Sequence, residues 1–480
     1  MLAVVTACNQ NTGVEAEGSN PVASEGLSIK YPCSDGMVLQ QQTAALVWGH
    51  ATAGAKVSVT PSWDGKSYSA DTDSEGVWRV YVDTPAASYN TYEIKVKGDS
   101  DELTISNVLV GEVWIASGQS NMEMPIKGFG SCPVEGANDV ISAAPMPDKL
   151  RMFTVAIYQP EEPVYDVHET RGWEGAGPET VSEWSATAYF FARKVNEVLD
   201  VPVGIVALPR GGASVESWLP KETLAAWGDD LSPEYIEENF EEWTLPYKMY
   251  NGMEQPVKGY TARGFIWYQG CTNVGKDEQF EPRMQELVRQ WREDWGDTDN
   301  HMPFYQCEIA PFDYGGVQDN KGALLRQAQH NAAHSIPNSG IIVTNDLVYD
   351  YEANNVHPCQ KEPVGKRLAW MALNKTYGFS KIACESPELI KATAVDGGVL
   401  LEFSNLSYGL NRTVGVEGLE VCGSNGVFRP VETIMFMNDP QGIFIPGLAL
   451  KEVRYGWGDF KPGNLKNCEG LPLSPFDIKL

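Results

Sequence analysis

The chain has 480 residues, more than one hydrophobic core usually organises, so two or three domains are expected. Its apolar content of 42% is typical of a folded protein, and no run approaches the roughly 20 apolar residues that cross a bilayer. With 36 basic and 64 acidic residues the net charge is −28, and a surface this negative repels phosphate backbones, which argues against nucleic acid as a partner.

The first eight residues, MLAVVTAC, end in Val5-Thr6-Ala7-Cys8, which resembles the lipobox of bacterial lipoproteins, where the cysteine is lipidated. Residues 9–26 are polar, small and free of aromatic side chains, as in a flexible tether. The apolar segment is short and no basic residue precedes it, so either the true start lies upstream or the match is a coincidence. We expect the former. The protein is then exported to the periplasm or surface of a bacterial cell, and lipid on Cys8 is its only link to a membrane.

The chain has nine cysteines, and none of the eight that follow Cys8 belongs to a CxxC pair. This pattern argues against a structural zinc site. In an oxidising compartment some of these cysteines would pair, although the sequence alone does not fix which ones.

Residues 27–107 predict an N-terminal β-sandwich domain. Short runs in which apolar and polar residues alternate are separated by turn sequences such as DGKS, DSEG and GDSD. Regular spacing of such runs is typical of a small sandwich. The runs are AALVWGHA, AKVSVTPSW, GVWRVYVDT and TYEIKVKG.

Residues 108–379 predict an α/β domain with a parallel sheet, because apolar strand-like runs alternate with helical stretches. The strand-like runs are VLVGEVWIAS, VPVGIVALP, ARGFIWYQG, MPFYQCEIA and SGIIVTND. The helical stretches are EWSATAYFFARKVNEVL, FEPRMQELVRQWREDW and GALLRQAQHNAAHSI. Residues 380–480 return to β-like segments separated by glycines and prolines, which predicts a C-terminal β-rich domain. Residues 1–26 remain as leader and tether.

Polar, glycine-rich sequences follow four of the predicted central strands. In open α/β sheets, ligands bind beyond the carboxyl ends of the strands, so these four sequences are expected to meet. They are SGQSN around Ser120, PRGGASVESW with Gly211 and Gly212, WYQGCTN with Gln269 and Asn273, and LVYDYEANNVHP with His357.

Each of these sequences also has an ordinary structural explanation. A serine before asparagine at a strand–helix junction is more often a helix cap than a nucleophile, and a glycine pair usually marks a turn. His330 and His334 lie four apart on a predicted helix, but no HExxH context accompanies them, so packing or surface exposure is the better interpretation. The acidic run from Asp229 to Trp243 is most simply a solvated face.

Taken together, the four sequences occur in the chain order of the SGNH (GDSL-like) hydrolases. The chain is most similar to the branch that contains the sialate O-acetylesterases and related carbohydrate acetylesterases. The resemblance covers about residues 34–476 and implies a flavodoxin-like, three-layer α/β/α central domain. It is strongest in SDGMVLQQQTAALVWGHATAGAKV, VGEVWIASGQSNMEMP, YNGMEQPVKGYTARGFIWYQG, VHPCQKEPVGKRLA and RYGWGDFKPGNLKNCEGLPLSPF.

The resemblance implies a serine esterase. Ser120 takes the place of the nucleophile, and His357 is the candidate base that removes its proton and later protonates the leaving alcohol. The oxyanion needs preorganised donors, and backbone N–H groups of Ser120 and of the Gly211-Gly212 turn would supply two. A side-chain amide would supply the third, with Gln269 preferred to Asn273. No metal or organic cofactor is implied.

The residue that orients His357 is not fixed by the motif. Relatives often have aspartate before the histidine, whereas Asn354 and Asn355 stand here. An amide holds an imidazole in place but stabilises imidazolium less than a carboxylate does. The alternatives are a Ser-His dyad, or orientation by Asp346, Asp350 or Glu352.

Two cysteines stand where the family usually has charged residues. Cys271 replaces a glutamate after QG, and Cys359 replaces a lysine or arginine after HP. A carboxylate and a cation in neighbouring loops would pair. We therefore predict a Cys271–Cys359 disulfide in place of that ion pair, with two free, buried thiols as the alternative.

The expected function is hydrolysis of acetyl esters on sugars, sialic acids first, through an acetyl-serine intermediate. An acetylxylan-type esterase of the same fold is one alternative. The asparagines before His357 also leave room for a carbohydrate-binding lipoprotein with a degenerate site, although the intact Ser120 and His357 favour catalysis. A lipase for long acyl chains fits less well, because no long apolar lid segment is visible.

Overall fold

A computed structural model describes residues 26–144, 146–315, 320–412, 415–439 and 441–480. The predicted lipidation site, Cys8, lies outside them. The described residues form a mixed α/β fold around one large mixed sheet, with β-rich regions before and after it. None of their helices is both long and apolar enough to cross a bilayer.

The N-terminal region is built from short strands whose inward-facing residues are apolar. These strands are β1 (Ser28–Ile29), β2 (Val38–Gln40), β3 (Ala44–His50), β4 (Lys56–Pro61), β5 (Tyr68–Asp71), β6 (Val77–Asp83) and β7 (Ser88–Gly98). One sheet has the order β1-β3-β6, while β4 pairs with β5 and β7 in another. Along β6, Trp78, Val80 and Val82 are buried. The alternate residues Arg79, Tyr81 and Asp83 are exposed, as the sequence pattern predicts.

Strand β8 (Asp101–Gly118) is 18 residues long and belongs to two regions. Its first part pairs antiparallel with β7, and its second part pairs in parallel with strands of the central sheet. From Val108 onward every residue is buried, as expected for a strand covered on both faces. The domain boundary predicted at residue 107 therefore falls inside one continuous strand.

The central sheet continues with β9 (Met146–Thr154), β10 (Trp173–Ala176), β11 (Val203–Pro209), β12 (Gly264–Tyr268), β13 (Phe304–Cys307) and β14 (Ser339–Ile342). Its order is β10-β9-β11-β8-β12-β13-β14, and all of these neighbours are parallel except β10 and β9. Later strands add on both sides of β8, so β8 lies at the switch point beside which open α/β sheets bind ligands.

The described residues contain nine α-helices. They are α1 (Ser120–Glu123), α2 (Ala137–Ser142), α3 (Pro178–Val181), α4 (Ala186–Leu199), α5 (Lys221–Ala226), α6 (Pro233–Asn239), α7 (Asp277–Asp294), α8 (Lys321–Ser335) and α9 (Lys361–Met371). Val113 and Ile115 of β8 share a core with α7 and α8, whereas the alternate residues Trp114 and Ala116 share another with α4 and α9. The three long helices predicted from the sequence correspond to α4, α7 and α8.

The C-terminal region is β-rich, in agreement with its sequence pattern. Its strands are β15 (Leu389–Val395), β16 (Gly398–Phe403), β17 (Leu419–Cys422), β18 (Phe428–Pro430), β19 (Met435–Asn438), β20 (Gln441–Pro446), β21 (Glu452–Tyr455) and β22 (Phe476–Lys479). They form two antiparallel sheets, β15-β16-β20-β19 and β18-β17-β21-β22, which share one core.

The histidine pair of α8 has structural contacts. The buried His330 ring lies 2.8 Å from a Glu308 oxygen, and the exposed His334 ring lies 3.2 Å from Glu388, just before β15. Packing and surface exposure, as expected from the sequence, account for both residues.

Candidate active site

The nucleophile candidate Ser120 follows the central strand of the sheet. β8 ends at Gly118, whose φ is +135°, and a Cβ there would lie 2.2 Å from the Tyr268 carbonyl oxygen. Only glycine allows so close an approach between the ends of β8 and β12. Ser120 then begins α1, so its N–H is one of those that a helix leaves without an internal partner.

The loop after β11 lies directly against Ser120. The Arg210 N–H donates to the Gly118 carbonyl over 3.1 Å, and a Cβ on Gly211 would lie 3.6 Å from the Ser120 Cβ. Gly212 has a φ of +79°, and a Cβ there would lie 2.2 Å from Trp243 Cδ1. Positive φ and close packing therefore favour glycine at 212, a Cβ on Gly211 would lie 2.8 Å from Glu123 Oε2, and the structure brings this turn to the serine.

The Gly211 N–H, a predicted oxyanion donor, has an internal acceptor. It donates a hydrogen bond to the carboxylate of Glu123, three residues after Ser120. Burial raises the pKa of Glu123, although this backbone bond and the charge of Arg210 oppose the shift. Sequence reasoning missed Glu123. Its position, one helical turn after the serine, is the feature of the sequence that could have identified it as a neighbour of the site.

The side chains of Gln269 and Asn273 lie behind the glycine turn. The Gln269 amide nitrogen donates to Asn273 Oδ1 over 2.7 Å and to the Ala213 carbonyl over 3.2 Å. Asn273 donates to Glu216 over 3.0 Å and accepts from the Val215 N–H over 3.1 Å. Both amides are thus engaged in holding the loop after β11. A third oxyanion donor from either residue stays a prediction, and its amide would first have to exchange these bonds.

The candidate base His357 lies in the loop that follows β14. Asn355 fixes its backbone on both sides: Asn355 Oδ1 accepts from the His357 N–H and Asn355 Nδ2 donates to the His357 carbonyl, each over 3.0 Å. The Phe129 ring packs edge-on at 5.3 Å between centroids. The Nε2 atom of His357 is buried without a hydrogen-bond partner. Burial, with a smaller contribution from the Lys361 charge, lowers the pKa of His357 to about 4.

No carboxylate of the described residues hydrogen-bonds to the His357 ring. The prediction for Asp346 is wrong, because its carboxylate is bound by Arg367 at 2.7 Å and by Lys466 at 2.6 Å. Glu352 instead accepts the backbone N–H groups of Tyr349 and Cys359, each over 2.9 Å, and so shapes the loop. The side chains of Asn354 and Asp350 are exposed.

A buried lysine and an asparagine join the serine and histidine loops. Lys361 Nζ donates to Asn121 Oδ1 over 2.7 Å and to the Pro358 carbonyl over 2.8 Å. Asn121 Nδ2 donates to the Val356 carbonyl over 2.9 Å. The residue after Ser120 is therefore bonded to the residue before His357, which joins the two loops, although His357 Nε2 is not hydrogen-bonded to Ser120 Oγ.

Sequence reasoning also missed Lys361. Burial lowers its pKa to about 8, although nearby groups, Cys271 first among them, oppose the shift. A lysine four residues after the histidine, at the start of a helix, was the signal that could have found it.

The predicted Cys271–Cys359 disulfide is wrong for this structure, in which both thiols are free. Burial raises the pKa of both thiols, and Cys359 Sγ lies 4.0 Å from a Glu135 oxygen. The alternative of free thiols is what the structure shows.

Comparison with known proteins places this site in a recognised group. The family described as carbohydrate esterase, sialic acid-specific acetylesterase, matches residues 110–374. The sialate O-acetylesterase of Mus musculus is 27% identical over 426 residues, which cover 78% of this chain and 77% of the relative. The sialate O-acetylesterase of Homo sapiens is 26% identical over 396 residues, covering 76% of this chain and 74% of the relative.

A solved structure agrees with these sequence matches. A carbohydrate acetylesterase from Xanthomonas citri aligns with a TM-score of 0.82 at 30% sequence identity, covering 94% of this chain and 99% of that chain. The loops with Ser120, Gly211, Gln269 and His357 all lie inside the segment that the family matches. The chain therefore belongs to the carbohydrate esterase family of sialic acid-specific acetylesterases, a family of carboxylic ester hydrolases.

Proposed function

We propose that this protein is a carbohydrate O-acetylesterase, with O-acetylated sialic acid as its first candidate substrate. The main structural support for this proposal is a hydrogen bond between the two loops. Asn121, next to Ser120, donates over 2.9 Å to the carbonyl of Val356, next to His357. An alcohol and a neutral imidazole are thereby held at the end of the same sheet. Family membership supplies the acetylated sugar as the substrate class.

In the proposed first step, Ser120 Oγ attacks the acetyl carbonyl and His357 Nε2 takes its proton. A serine hydroxyl needs such a base because it is a weak nucleophile by itself. Nε2 has no partner within the protein, so it is open to accept a proton, and the lowered pKa of about 4 keeps the imidazole neutral at neutral pH. Ser120 Oγ is not hydrogen-bonded to Nε2 in the free protein, so this contact forms when substrate binds. His357 later returns the proton to the departing sugar hydroxyl.

The tetrahedral intermediate places negative charge on the former carbonyl oxygen. The N–H groups of Ser120 and Gly211 are the proposed donors, and such donors commonly lower a barrier by several kcal/mol. Glu123 accepts from Gly211 in the free protein, so the developing oxyanion replaces this carboxylate. Water then attacks the acetyl-enzyme with His357 as base, and acetate leaves.

We propose a Ser-His dyad, not a triad. The support is that Asn355 bonds to the backbone of His357, Asp346 is paired with Arg367, and Lys361 is the nearby charge. A lysine disfavours imidazolium, whereas a triad aspartate favours it. Orientation of the base then depends on the packing of Phe129 and on the loop bonds of Asn355.

The test is hydrolysis of p-nitrophenyl acetate and of an O-acetylated methyl sialoside by the wild type and by Ser120→Ala. The dyad predicts that Ser120→Ala lowers kcat by about 10⁶-fold, as removal of the serine nucleophile does in subtilisin. An unchanged melting temperature shows that the variant is folded. Equal, background-level rates from both proteins would favour a carbohydrate-binding protein without catalysis. Faster acetate release from acetylated xylooligosaccharides would favour an acetylxylan-type esterase.

The finer fold description is also a proposal. Alternate residues of β8 packed against different helix pairs, and a parallel order through β9-β11-β8-β12-β13-β14, support a flavodoxin-like, three-layer SGNH hydrolase domain. An experimental structure with helices on one face only would contradict it.

Export and lipid anchoring rest on the sequence Val5-Thr6-Ala7-Cys8 alone. We propose lipidation of Cys8 in a bacterial host. Metabolic labelling with an alkyne fatty acid tests this, with Cys8→Ser as the matched variant. Equal labelling of both proteins, or none of either, contradicts the proposal.

A further inference from the structure

Arg210 stands immediately before the glycine turn and differs from the other buried arginines. Its backbone is fixed, because the Arg210 N–H donates to the Gly118 carbonyl and its own carbonyl accepts from Ala213, each over 3.1 Å. Its side chain is half-buried, and its Nε atom is inaccessible and has no hydrogen-bond partner. Within the described part of the chain, no carboxylate forms an ion pair with this guanidinium, although its charge partly offsets the rise that burial causes in the pKa of Glu123.

The other buried arginines bind acceptors within the chain, and even Arg326, whose Nε also has no partner, donates through Nη2 to the Gly458 carbonyl. Arg283 binds Asp229 at 2.7 and 2.8 Å, and Arg367 binds Asp346 at 2.7 Å. Arg292 donates to the Met302 carbonyl over 2.8 Å. In a protein with 64 acidic residues and 36 basic ones, an arginine without an acceptor is uncommon, because an unsatisfied buried donor costs free energy. An acceptor from outside the chain would remove this cost.

Trp243 packs against the same glycine turn, at Gly212. Its side chain is 45% exposed, and its ring atoms pack directly on Gly212, where a Cβ would lie 2.2 Å from Cδ1. Its segment is held in place, since the Gln159 amide donates to the Glu242 carbonyl over 2.8 Å. A partly exposed indole fixed beside a catalytic serine offers an apolar face to a ligand that has a polar edge. Trp243 belongs to the acidic run to which the sequence assigned no function.

We propose that Arg210 and Trp243 form an acidic-sugar subsite next to Ser120. The sugar ring packs on the Trp243 indole, and the sugar carboxylate pairs with the Arg210 guanidinium, whose planar donor set fits a carboxylate. The substrate class is then an acetylated sugar that also has a carboxylate. This inference rests on the proposed esterase function, and it names the residues that select the sugar.

The experiment compares one acetylated sugar with and without its negative charge. The substrates are an O-acetylated methyl sialoside and the same compound with its carboxylate converted to a carboxamide. Wild type is expected to prefer the acid, and Arg210→Gln to lose about 10- to 100-fold in kcat/KM on the acid, the usual value of a charge-assisted hydrogen bond. On the carboxamide, Arg210→Gln should lower kcat/KM by a factor at least fivefold smaller than on the acid, because a hydrogen bond to a neutral group contributes less than one to a charged group. Arg210→Lys should recover part of the preference.

The matched control is Arg429→Gln, which removes the same charge from an exposed position on β18. It should change neither rate. Equal losses of Arg210→Gln on acid and carboxamide would overturn the proposal, as would a wild type that does not distinguish the two substrates.

The tryptophan is tested with Trp243→Ala and Trp243→Phe. The alanine variant should raise KM for both substrates, whereas phenylalanine, which keeps a flat apolar face, should restore most of the binding. An unchanged KM in Trp243→Ala, or a failure of phenylalanine to improve on alanine, contradicts the role of the ring. Melting curves confirm that each variant is folded.

The sugar carboxylate could belong to a sialic acid or to a glucuronic acid, and a second substrate pair distinguishes these. Acetylated sialoside and acetylated glucuronoyl xylooligosaccharide both have a carboxylate, so Arg210-dependent hydrolysis of one and not the other identifies the sugar. Failure of the esterase function itself is seen separately, as absence of Ser120-dependent hydrolysis of p-nitrophenyl acetate. In that case calorimetric binding of unacetylated methyl sialoside to wild type and Arg210→Gln still decides the inference, and equal affinity overturns it.

Discussion

The two halves of the candidate site are held in place by different kinds of interaction. On the nucleophile side, β11, β8 and β12 are adjacent strands, and their ends are joined by backbone hydrogen bonds such as those from Arg210 to Gly118 and from Gln119 to Tyr268. On the base side, His357 follows β14, three strands from β8, and its loop depends on side chains. The serine position is therefore robust to changes of side chain, whereas the histidine position depends on a few residues.

The largest effect is expected where a side chain would be added to the nucleophile side. In Gly118→Ala the new Cβ would meet a backbone oxygen at 2.2 Å with φ at +135°, so we expect a loss of at least about 3 kcal/mol in the free energy of unfolding and loss of activity. Denaturant titration measures the first. The control Gly65→Ala has a positive φ of +67° but open space around it, so about 1 kcal/mol is expected there. Similar losses in both variants would show that collision at β8 is unimportant.

On the base side, Lys361→Met should lower kcat by about 100-fold, because it removes the bonds to Asn121 and Pro358 that place the histidine loop. It also removes a positive charge near His357, so the pKa of His357 should rise and the acid limb of the kcat/KM profile should move to higher pH. The control is Lys366→Met on the same helix, an exposed residue paired with Glu362. A fall in kcat without any movement of the pH profile would point to a purely structural role.

A smaller effect is expected from Asn355→Ala. Two hydrogen bonds to the His357 backbone are lost, which predicts about a tenfold fall in kcat with the nucleophile side intact. Asn354→Ala, an exposed neighbour, is the control and should keep the wild-type rate. If the two variants behave alike, Asn355 does not position the base.

The smallest effect concerns pH above 5. Because the pKa of His357 is lowered to about 4, the imidazole is neutral at higher pH and kcat/KM should be flat from pH 5 to 7. Below the pKa the base is protonated, and kcat/KM should fall about tenfold per pH unit. A pH–rate profile in buffers of constant ionic strength checks this. An acid limb near pH 6.5 would show an unperturbed histidine.

Sequence reasoning located the nucleophile side better than the base side for the same physical reason. Strand ends can be predicted from apolar runs, and adjacent parallel strands bring their ends together, so the proximity of Ser120 to the Gly211-Gly212 turn was predictable, while their catalytic roles stay predictions. The base side depends on long-range side-chain bonds, which no periodicity reveals. Lys361 was missed for that reason.

The disulfide prediction failed because motif positions show that two loops are near each other but not where each thiol points. The boundary predicted at residue 107 lies inside β8, because the composition changes there while the strand continues. The composition of a strand depends on how much of it is buried. The first part of β8 is partly exposed and the second part is fully buried, so the composition changes within one strand.

The continuity of β8 has a consequence for how the protein can be cut or deformed. One unbroken strand extends from the outer β-region at Asp101 to Gly118, two residues before Ser120, so the N-terminal region and the candidate nucleophile share one backbone element. A truncation at residue 107 would remove the first seven residues of this strand and most of its pairing with β7. We therefore expect the N-terminal region to stabilise the position of Ser120 directly, through the strand that carries it.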